Sequence, residues 1–412
     1  MRRTISVFEH EKLGIQPNVR GEYLTNTELK KLLEFNDLNG NKYFSGIRDG
    51  VKFKSFVGVL RVGNLTLEIL PKADLETHTT ETEKKWKGVL LQMLAVCKKI
   101  NVNIASEASL KKRSFSILDM YFEMFLNELE ALVAKGLIKK YHKIEGNSQS
   151  LKGRILFSKH INQNLVRQDR FYTEHQTYDP NHSLNQILHE TLLIIKTLVN
   201  NSSLADKTGR ILLNFPEYQR KKYKEVDFDR IKFGRKTESY RSAIKIAKII
   251  ILNYSPTIDK GNNDLLALLF DMDRLWEEYI YRSLANSIPK EFDISPQKPA
   301  KFWENRTIRP DIVLHNKQSK QNLIFDTKWK LIKDNKPSDE DLRQMFAYNV
   351  YWDAQKSYLV YPASTGSNIF LGKFHKGQIN SHGCGLMFLD IFEKDRKRIN
   401  RNLGNMIHKY LL

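Results

Sequence analysis

The amino-acid sequence predicts an α+β multidomain protein, with a β-rich N-terminal domain over residues 1–75, a central helical region over residues 84–255 and a C-terminal α/β domain with a mixed sheet over residues 265–412. The length of 412 residues exceeds that of an ordinary single domain. Short β-rich runs come first, apolar residues at helical spacing follow, and the end of the chain alternates predicted helices with strands. Such an alternation is typical of a mixed α/β domain.

The N-terminal domain is predicted from two β-rich runs. Residues 52–60 and 65–70 are rich in apolar and β-branched side chains, and a Gly-Asn turn at residues 63–64 follows the first run. Residues 74–83 are polar and rich in Thr and Glu, so we expect a linker or an exposed loop there. A domain boundary is therefore predicted close to residue 75, and we expect truncation there to break few packed contacts.

The central region is predicted to be helical because apolar residues recur at helical spacing. One series ends before Gly136, a residue that favours helix termination, and a second lies between residues 184 and 198. The first series is Ile117, Tyr121, Phe125, Leu129 and Leu132, and the second is Leu184, Ile187, Leu188, Ile194, Ile195 and Leu198. The basic run from residue 220 to 236 is either a phosphate-contacting surface or a solvated face. Residues 256–264 are predicted to be a second linker.

The C-terminal domain is predicted from the order helix, strands, helix, strand. Its first helix has one apolar face, composed of Met272, Leu275, Trp276, Tyr279, Ile280, Ser283 and Leu284. Strands are predicted at residues 308–314, 323–331 and 357–361. A helix is predicted to begin near Ser338, ahead of the last of these strands.

The charge balance favours a polyanionic partner. Lys and Arg total 67 against 47 Asp and Glu, a formal net charge of +20 that attracts nucleic acid or an anionic membrane. No apolar run approaches the roughly 20 residues that cross a bilayer, and charged residues precede any apolar signal segment. We therefore expect a cytoplasmic protein that binds nucleic acid and no membrane.

The cysteines and histidines do not indicate a zinc site. Cys97 and Cys384 are the only cysteines, which are too few for a disulfide framework and lack zinc-ligand spacing. The 11 histidines show no spacing such as His-Glu-x-x-His. We expect both cysteines to be free thiols.

A carboxylate and a lysine share one face of the strand predicted at residues 323–331. Alternation places Asp326 and Lys328 on the same side, about 7 Å apart along the strand at roughly 3.3 Å per residue. Asp311, after Pro310 on the preceding strand, joins them if the two strands pair. Two carboxylates can hold a hard divalent cation that contacts a phosphate, and a lysine can orient the attacking water. An Asp-x-Lys pair is also common as a plain surface feature, so the neighbouring residues decide whether this pair is interpreted as catalytic.

The context comes from the next helix, where Gln344 and Tyr348 lie one helical turn apart on one face. Together these residues resemble the PD-(D/E)xK nuclease superfamily, which implies a nuclease domain over residues 265–412 and Mg²⁺ as its cofactor. The resemblance assigns the metal to Asp311, Asp326 and the Thr327 carbonyl, catalysis to Lys328, and support of the site or DNA contact to Gln344 and Tyr348.

The superfamily often adds a glutamate from the helix before the strands. Glu277 and Glu278 are the two candidates, and periodicity puts them on opposite flanks of the apolar stripe without choosing between them. The resemblance favours Glu277 as the metal ligand, and an exposed structural glutamate is the alternative.

A second resemblance covers most of the chain. Residues 57–72, 151–155, 270–279, 326–330 and 344–348 are similar to the McrC family, the nuclease subunits of McrBC-type modification-dependent restriction systems. The resemblance implies DNA cleavage in phage defence together with McrB, a GTP-hydrolysing AAA+ ring. In that family the N-terminal part of McrC inserts into the ring and stimulates hydrolysis, while the partner recognises modified cytosine.

A separate motor agrees with the absence of a Gly-x-x-x-x-Gly-Lys-[Ser/Thr] loop, since residues 366–373 have one residue too many between their glycines. Arg48 and residues 52–54 are candidates for contacting the ring.

Two alternatives stay open, a catalytically silent DNA-binding adaptor that stimulates the motor and a nuclease that acts alone. The C-terminal cations either contact phosphates or form a solvated helix; they are Lys394, Arg396, Lys397, Arg398 and Arg401.

Overall fold

The secondary structure alternates helices and strands along most of the chain. A computed structural model describes residues 3–74, 76–99, 116–255, 265–332, 334–364, 366–375, 382–393, 399–400 and 402–411. The described α-helices are α1 (Asn26–Leu38), α2 (Thr80–Val96), α3 (Ile117–Lys135), α4 (Phe157–Asn164), α5 (Ser183–Leu198), α6 (Ser202–Leu213), α7 (Glu225–Asp229), α8 (Arg241–Leu252), α9 (Met272–Ser287), α10 (Asp339–Tyr351) and α11 (Leu403–Leu411).

The described strands complete the architecture, and with the helices they confirm the predicted α+β class. They are β1 (Arg3–Phe8), β2 (Lys12–Gly14), β3 (Phe44–Ile47), β4 (Gly50–Phe53), β5 (Phe56–Val62), β6 (Leu65–Leu70), β7 (Lys140–Ser148), β8 (Arg154–Ile155), β9 (Phe171–Asp179), β10 (Tyr254–Ser255), β11 (Leu265–Asp271), β12 (Phe292–Pro296), β13 (Ala300–Trp303), β14 (Arg306–Ile308), β15 (Ile312–Asn316), β16 (Asn322–Thr327), β17 (Lys356–Ala363), β18 (Asn368–Lys373) and β19 (Gly383–Asp390).

The chain divides into two units at boundaries that differ from the predicted ones. One unit combines Met1–Ile117 with Asp259–Leu412, and the other is Leu118–Ile258. Residues 1–75 and 265–412 were predicted as separate domains, yet β11 pairs antiparallel with β5, with Leu268 opposite Val59. The prediction fails because the partner of β5 lies far along the chain, where local sequence patterns do not reveal it. Truncation near residue 75 would therefore remove strands from a shared sheet.

The N-terminal strands form two sheets rather than one run. β1, β6, β5 and β11 lie side by side, with β1 parallel to β6, while β2, β4 and β3 form a separate sheet. The run predicted at residues 52–60 is therefore divided between β4 and β5. Gly58 has φ +132°, and a Cβ there would overlap the Leu268 carbonyl oxygen, so only glycine allows the close pairing of β5 with β11.

The polar segment at residues 74–83, which was predicted to be a linker or exposed loop, is anchored in the fold. Asp74 is buried, and its Oδ2 accepts hydrogen bonds from Trp86 Nε1 and Lys85 Nζ, each at 3.1 Å. Thr79 caps α2 through the backbone N–H of Thr82. The polar side chains thus serve as hydrogen-bond partners and a helix cap. The residue types that fill these roles are also common in linkers, so the composition alone did not distinguish the two.

The second unit, taken by itself, contains most of the predicted helical region and a three-stranded sheet in the order β7-β9-β8. The two predicted helices are confirmed as α3 and α5, and Gly136 follows α3 with φ +87°. The predicted helical region over residues 84–255 differs from this unit, because residues up to 117 belong to the other one. In the basic run, Arg220 pairs with Glu190 at 2.6 Å.

The C-terminal strands form a mixed sheet in the order β12-β15-β16-β17-β19-β18. β15 is antiparallel to β16, whereas β16 and β17 are parallel. The strand predicted at residues 308–314 is interrupted between β14 and β15, because Pro310 has no N–H to donate to a ladder. The strand predicted at residues 323–331 ends at Thr327. The predicted helix is confirmed as α10, which Ser338 caps.

Some predictions fall outside the described residues. These are the second linker at residues 256–264 and the C-terminal cations at residues 394, 396–398 and 401. None of the described helices is both long enough and apolar enough to span a membrane.

Candidate active site

The end of β16 carries the predicted aspartate and lysine between two helices. Ile324 belongs to a core cluster with Met345 and Tyr348 of α10. On the opposite side, the ring of Trp329 lies 5.3 Å from that of Trp276 in α9. The sheet end is therefore covered on both faces, so the side chains at this position are held by packing.

Asp326 and Lys328 form an ion pair between a buried carboxylate and a half-buried ammonium group. Asp326 is 2% exposed, and its Oδ2 lies 2.7 Å from Lys328 Nζ. The same ammonium lies 3.8 Å from Asp341 Oδ1 and donates to Gln344 Oε1 at 3.2 Å. The predicted alternation thus places both groups on one face, and three acceptors on two elements fix the position of the lysine.

Asp311 lies beside Asp326 across the sheet. Ile312 pairs with Phe325, so Asp311 is one step beyond the last paired residue. Its Oδ2 accepts hydrogen bonds from both the N–H and the hydroxyl of Thr327, each at 2.7 Å. Sequence reasoning assigned a role only to the Thr327 carbonyl and missed these two donors, since strand alternation puts the Thr327 side chain on the face opposite Asp326.

Gln344 and Tyr348 link the lysine to the segment before Asp311. Gln344 Nε2 donates to Tyr348 Oη at 2.8 Å, and Tyr348 Oη donates to the Arg309 carbonyl oxygen at 2.9 Å. Burial raises the pKa of Tyr348 well above its usual range, so the hydroxyl remains a neutral donor. The two residues therefore hold the site together, as an (i, i+4) pair on α10.

Glu277 is linked to Asp311 through Gln297, which donates to the Glu277 carboxylate and to the Asp311 carbonyl oxygen, whereas Glu278 has other partners. Burial, and then repulsion from Asp311, raises the pKa of Glu277 to about 7. Its Oε1 accepts a hydrogen bond from Gln297 Nε2 at 2.6 Å. Glu278 instead pairs with Arg282 at 2.8 Å and with Lys99 at 3.0 Å, and these cations lower its pKa despite its burial. The structure thus brings only the first glutamate to the cluster.

The electrostatics of the cluster favour added positive charge. Burial raises the pKa of Asp311 and of Asp326, and repulsion between these two carboxylates adds to the rise for Asp326. Burial acts to lower the pKa of Lys328, but Asp326 and the other carboxylates outweigh it and the pKa is raised. The lysine is therefore protonated at neutral pH, and the site holds more carboxylates than ammonium groups.

The donor set fits a hard divalent cation, because such a cation removes the repulsion among buried carboxylates. Asp326 Oδ2 is ion-paired with Lys328 but, among the residues that the structure describes, accepts no hydrogen bond, whereas Asp311 accepts hydrogen bonds from Thr327. Within the described ranges, no group of three or more His, Cys, Asp or Glu side chains is already arranged as a metal site.

Two neighbours of the site were missed by sequence reasoning. Asp341 Oδ2 accepts from Lys330 Nζ at 2.6 Å, and the carboxylate also faces Lys328. Glu9, directly after β1, accepts from Trp329 Nε1 at 2.6 Å across a sequence separation of 320 residues. The acidic first turn after Ser338 could have indicated Asp341, but no local pattern indicates Glu9.

Both cysteines are free thiols, as predicted, and both are buried. Burial raises the pKa of Cys97 and of Cys384 to about 12. Neither thiol is therefore a thiolate nucleophile at neutral pH.

Comparisons with known proteins agree with this architecture. The family model described as McrBC 5-methylcytosine restriction system component matches residues 51–362. No curated protein matches the chain.

Two solved structures are similar. One is a refined half-complex from a tetradecameric assembly of Thermococcus gammatolerans McrB AAA+ hexamers with bound McrC. It is 18% identical with a TM-score of 0.76, covering 99% of this chain and 100% of the other. The second, a cryo-EM structure of the Thermococcus gammatolerans McrBC complex, is 18% identical with a TM-score of 0.53, covering 70% and 89%. At this identity the likeness shows the fold.

Proposed function

The chain belongs to the McrBC family of 5-methylcytosine restriction system components, and we propose that it is the nuclease subunit of such a system, a magnesium-dependent DNA endonuclease. The observation that carries the proposal is the ion pair of buried Asp326 with half-buried Lys328, beside Asp311 and Glu277. A cluster of partly buried carboxylates around one lysine is costly for folding, and a catalytic role accounts for it.

The reaction we propose is hydrolysis of a DNA phosphodiester. When bound, Mg²⁺ offsets the negative charge of the phosphate and lowers the pKa of a bound water. Asp311, Asp326 and Glu277 would hold the cation, together with the Thr327 carbonyl, in a PD-(D/E)xK arrangement. Lys328 would orient the attacking water and offset the charge that grows on the phosphate oxygens.

The residues around the lysine keep it in position for this step. Gln344 accepts from the Lys328 ammonium and is itself fixed by Tyr348, so rotation of the lysine side chain is restricted. Asp341 balances part of the ammonium charge. An ammonium held in advance offsets developing charge without reorganisation during the reaction.

The motor is proposed to be a separate protein. The Thermococcus gammatolerans structure contains McrB AAA+ hexamers with bound McrC, and this chain has no Gly-x-x-x-x-Gly-Lys-[Ser/Thr] loop of its own. We propose that it likewise works with an McrB-like AAA+ GTPase ring, in the cytoplasm, and that the N-terminal region contacts the ring. Arg48, Lys52 and Lys54 are half-buried or exposed there and remain candidates.

A reconstitution experiment tests the proposal. The full-length chain is assayed with its AAA+ partner, GTP and Mg²⁺ on DNA that contains 5-methylcytosine, and in parallel without the partner. We expect cleavage only in the complete mixture. Stimulated GTP hydrolysis without cleavage would identify a catalytically silent adaptor, and cleavage without the partner would identify a nuclease that acts alone.

A further inference from the structure

A short hairpin leads directly into the active site. β13 and β14 pair with each other, with Ala300 opposite Ile308, and they form a sheet of their own. Gln297, before the hairpin, donates its N–H to the Asp311 carbonyl oxygen at 2.8 Å and its side-chain amide to Glu277. Both ends of the hairpin are therefore tied to the carboxylate cluster.

The hairpin is also attached to the helix that holds the lysine. Tyr351 of α10 donates its hydroxyl to the Phe302 carbonyl oxygen at 3.1 Å, and the two rings lie 5.5 Å apart. Because α10 also carries Gln344 and Tyr348, the hairpin has a defined position relative to the site.

The tip of the hairpin exposes two aromatic side chains. Phe302 is 47% exposed and Trp303 is 62% exposed. Large aromatic side chains gain most of their stabilising free energy from burial, so the exposed parts of these two rings contribute little to folding. Exposed aromatic side chains beside a catalytic site are typical of a binding surface.

The same hairpin is strongly cationic. Lys298, Lys301, Arg306 and Arg309 are exposed, against one acidic residue, Glu304, between positions 298 and 309. In the part of the chain that the structure describes, the first three of these cations form no ion pair within 4.0 Å. Their charge is therefore not neutralised by neighbouring carboxylates and is available to a polyanion.

We propose that this hairpin contacts double-stranded DNA beside the phosphate that is cleaved, with its cations on backbone phosphates and the side chains of Phe302 and Trp303 in a groove. The proposal rests on the proposed function, which makes DNA the substrate. A two-stranded β-ribbon fits a DNA groove, and cations position the ribbon on the phosphates. Apolar side chains can then enter between bases or along the groove wall.

A second copy of this chain is the competing occupant. A two-fold contact brings the same surface of both copies together. Here it would set cationic hairpins against each other, and like charges across an interface are unfavourable. The charge therefore favours DNA.

The test measures DNA binding by the full-length chain without divalent cations, so that no cleavage occurs. Fluorescence anisotropy of a labelled duplex gives the affinity at several salt concentrations. We expect the double variant Lys301→Ala/Arg306→Ala to weaken binding and to reduce the log-log salt slope by about 1.8, since each phosphate contact contributes about 0.9. We expect Trp303→Ala to weaken binding about tenfold with little change in slope, because the indole is uncharged and contacts the groove rather than a phosphate.

A matched control comes from the edge strand β18. Leu371 and Lys373 are exposed there, and the double variant Leu371→Ala/Lys373→Ala should bind DNA like the wild type. Equal thermal unfolding of all variants shows that the fold is retained.

Three outcomes would overturn the hairpin proposal. If the wild type binds DNA and both hairpin variants bind equally well, the hairpin is no DNA contact, although the proposed function stands. If the variants change only self-association in sedimentation velocity, the hairpin is an interface between copies. If the wild type binds no DNA, alone or with its partner, the proposed function fails together with it.

Discussion

The two faces of β16 and the residues after it perform different tasks. On one face, Asp326 and Lys328 form the charged centre of the site. On the other, Phe325 stacks on Tyr358 at 5.3 Å, and Trp329 packs edge-on against Trp86 at 6.4 Å. Alternation along one strand therefore places the proposed catalytic residues one residue away from the aromatic side chains that pack in the core.

The largest effect is expected on the charged face. Lys328→Ala and Asp326→Ala should each lower DNA cleavage at least about 1,000-fold, because the proposed electrostatic stabilisation is lost. Both variants should remain folded and should still stimulate the partner's GTP hydrolysis. Cleavage and hydrolysis are measured on the same preparations. Loss of folding in both variants would mean that the charged face also stabilises the fold, which would contradict the distinction between the two faces.

The aromatic face is expected to show the opposite behaviour. Phe325 is fully buried, so Phe325→Ala should lower the free energy of unfolding by about 3–5 kcal/mol. Denaturant titration followed by circular dichroism measures the loss. Folded protein should keep its cleavage rate at low temperature. Unchanged stability would show that the two faces are not distinct.

The contact between Trp329 and Glu9 predicts a pH effect on stability. Burial raises the pKa of Glu9 from 4.5 to about 7, although the Trp329 indole and the Lys72 amide act to lower it. The group therefore takes up its proton more readily in the folded state. The stability that Glu9 contributes to the folded state is fully present below pH 4.5 and is lost as the pH rises through about 7.

The matched variant for this effect is Glu9→Gln, which keeps an acceptor for the indole. Its free energy of unfolding relative to the wild type should increase between these pH values, on the order of 3 kcal/mol. Urea titrations at several pH values measure the difference. If the difference is independent of pH, Glu9 does not titrate on folding.

The smallest effect concerns the two neighbouring glutamates of α9. Glu277→Gln should lower cleavage about tenfold by weakening metal binding, because Glu277 is linked to Asp311 through Gln297. Glu278→Gln is the control and should leave cleavage unchanged, since its partners are Arg282 and Lys99. Isothermal titration with Mg²⁺ adds a direct readout. Equal effects of the two substitutions would contradict the assignment.

Local patterns predicted the elements of the site well. All seven residues of the predicted apolar face of α9 are buried, because a helix next to a sheet needs a continuous apolar stripe. Strand alternation likewise placed Asp326 and Lys328 on one face, and the (i, i+4) spacing placed Gln344 beside Tyr348.

The contacts that the sequence could not predict are mostly those between residues far apart in the chain. The bond from Trp329 to Glu9 and the pairing of β5 with β11 join segments whose own patterns contain no information about each other. The bonds from Thr327 to Asp311 depend on where two strands end, and strand ends are the least predictable part of an element. Polar residues that cap a helix or accept a buried hydrogen bond, such as Asp74, are of the same types as loop residues. They cannot be distinguished from loop residues until their partners are known.

The pairing of β5 with β11 has a consequence for biosynthesis. β5 leaves the ribosome long before Leu265–Asp271 is synthesised. Until then, the edge of β5 that pairs with β11 has no partner strand. Limited proteolysis of ribosome-bound chains, stalled with β11 still inside the exit tunnel or already outside it, would reveal this delay as a change from sensitive to resistant. A chain whose synthesis stops early then has neither a finished sheet nor the strand that carries Asp326, so the proposed cleavage of DNA requires molecules that have been translated past both.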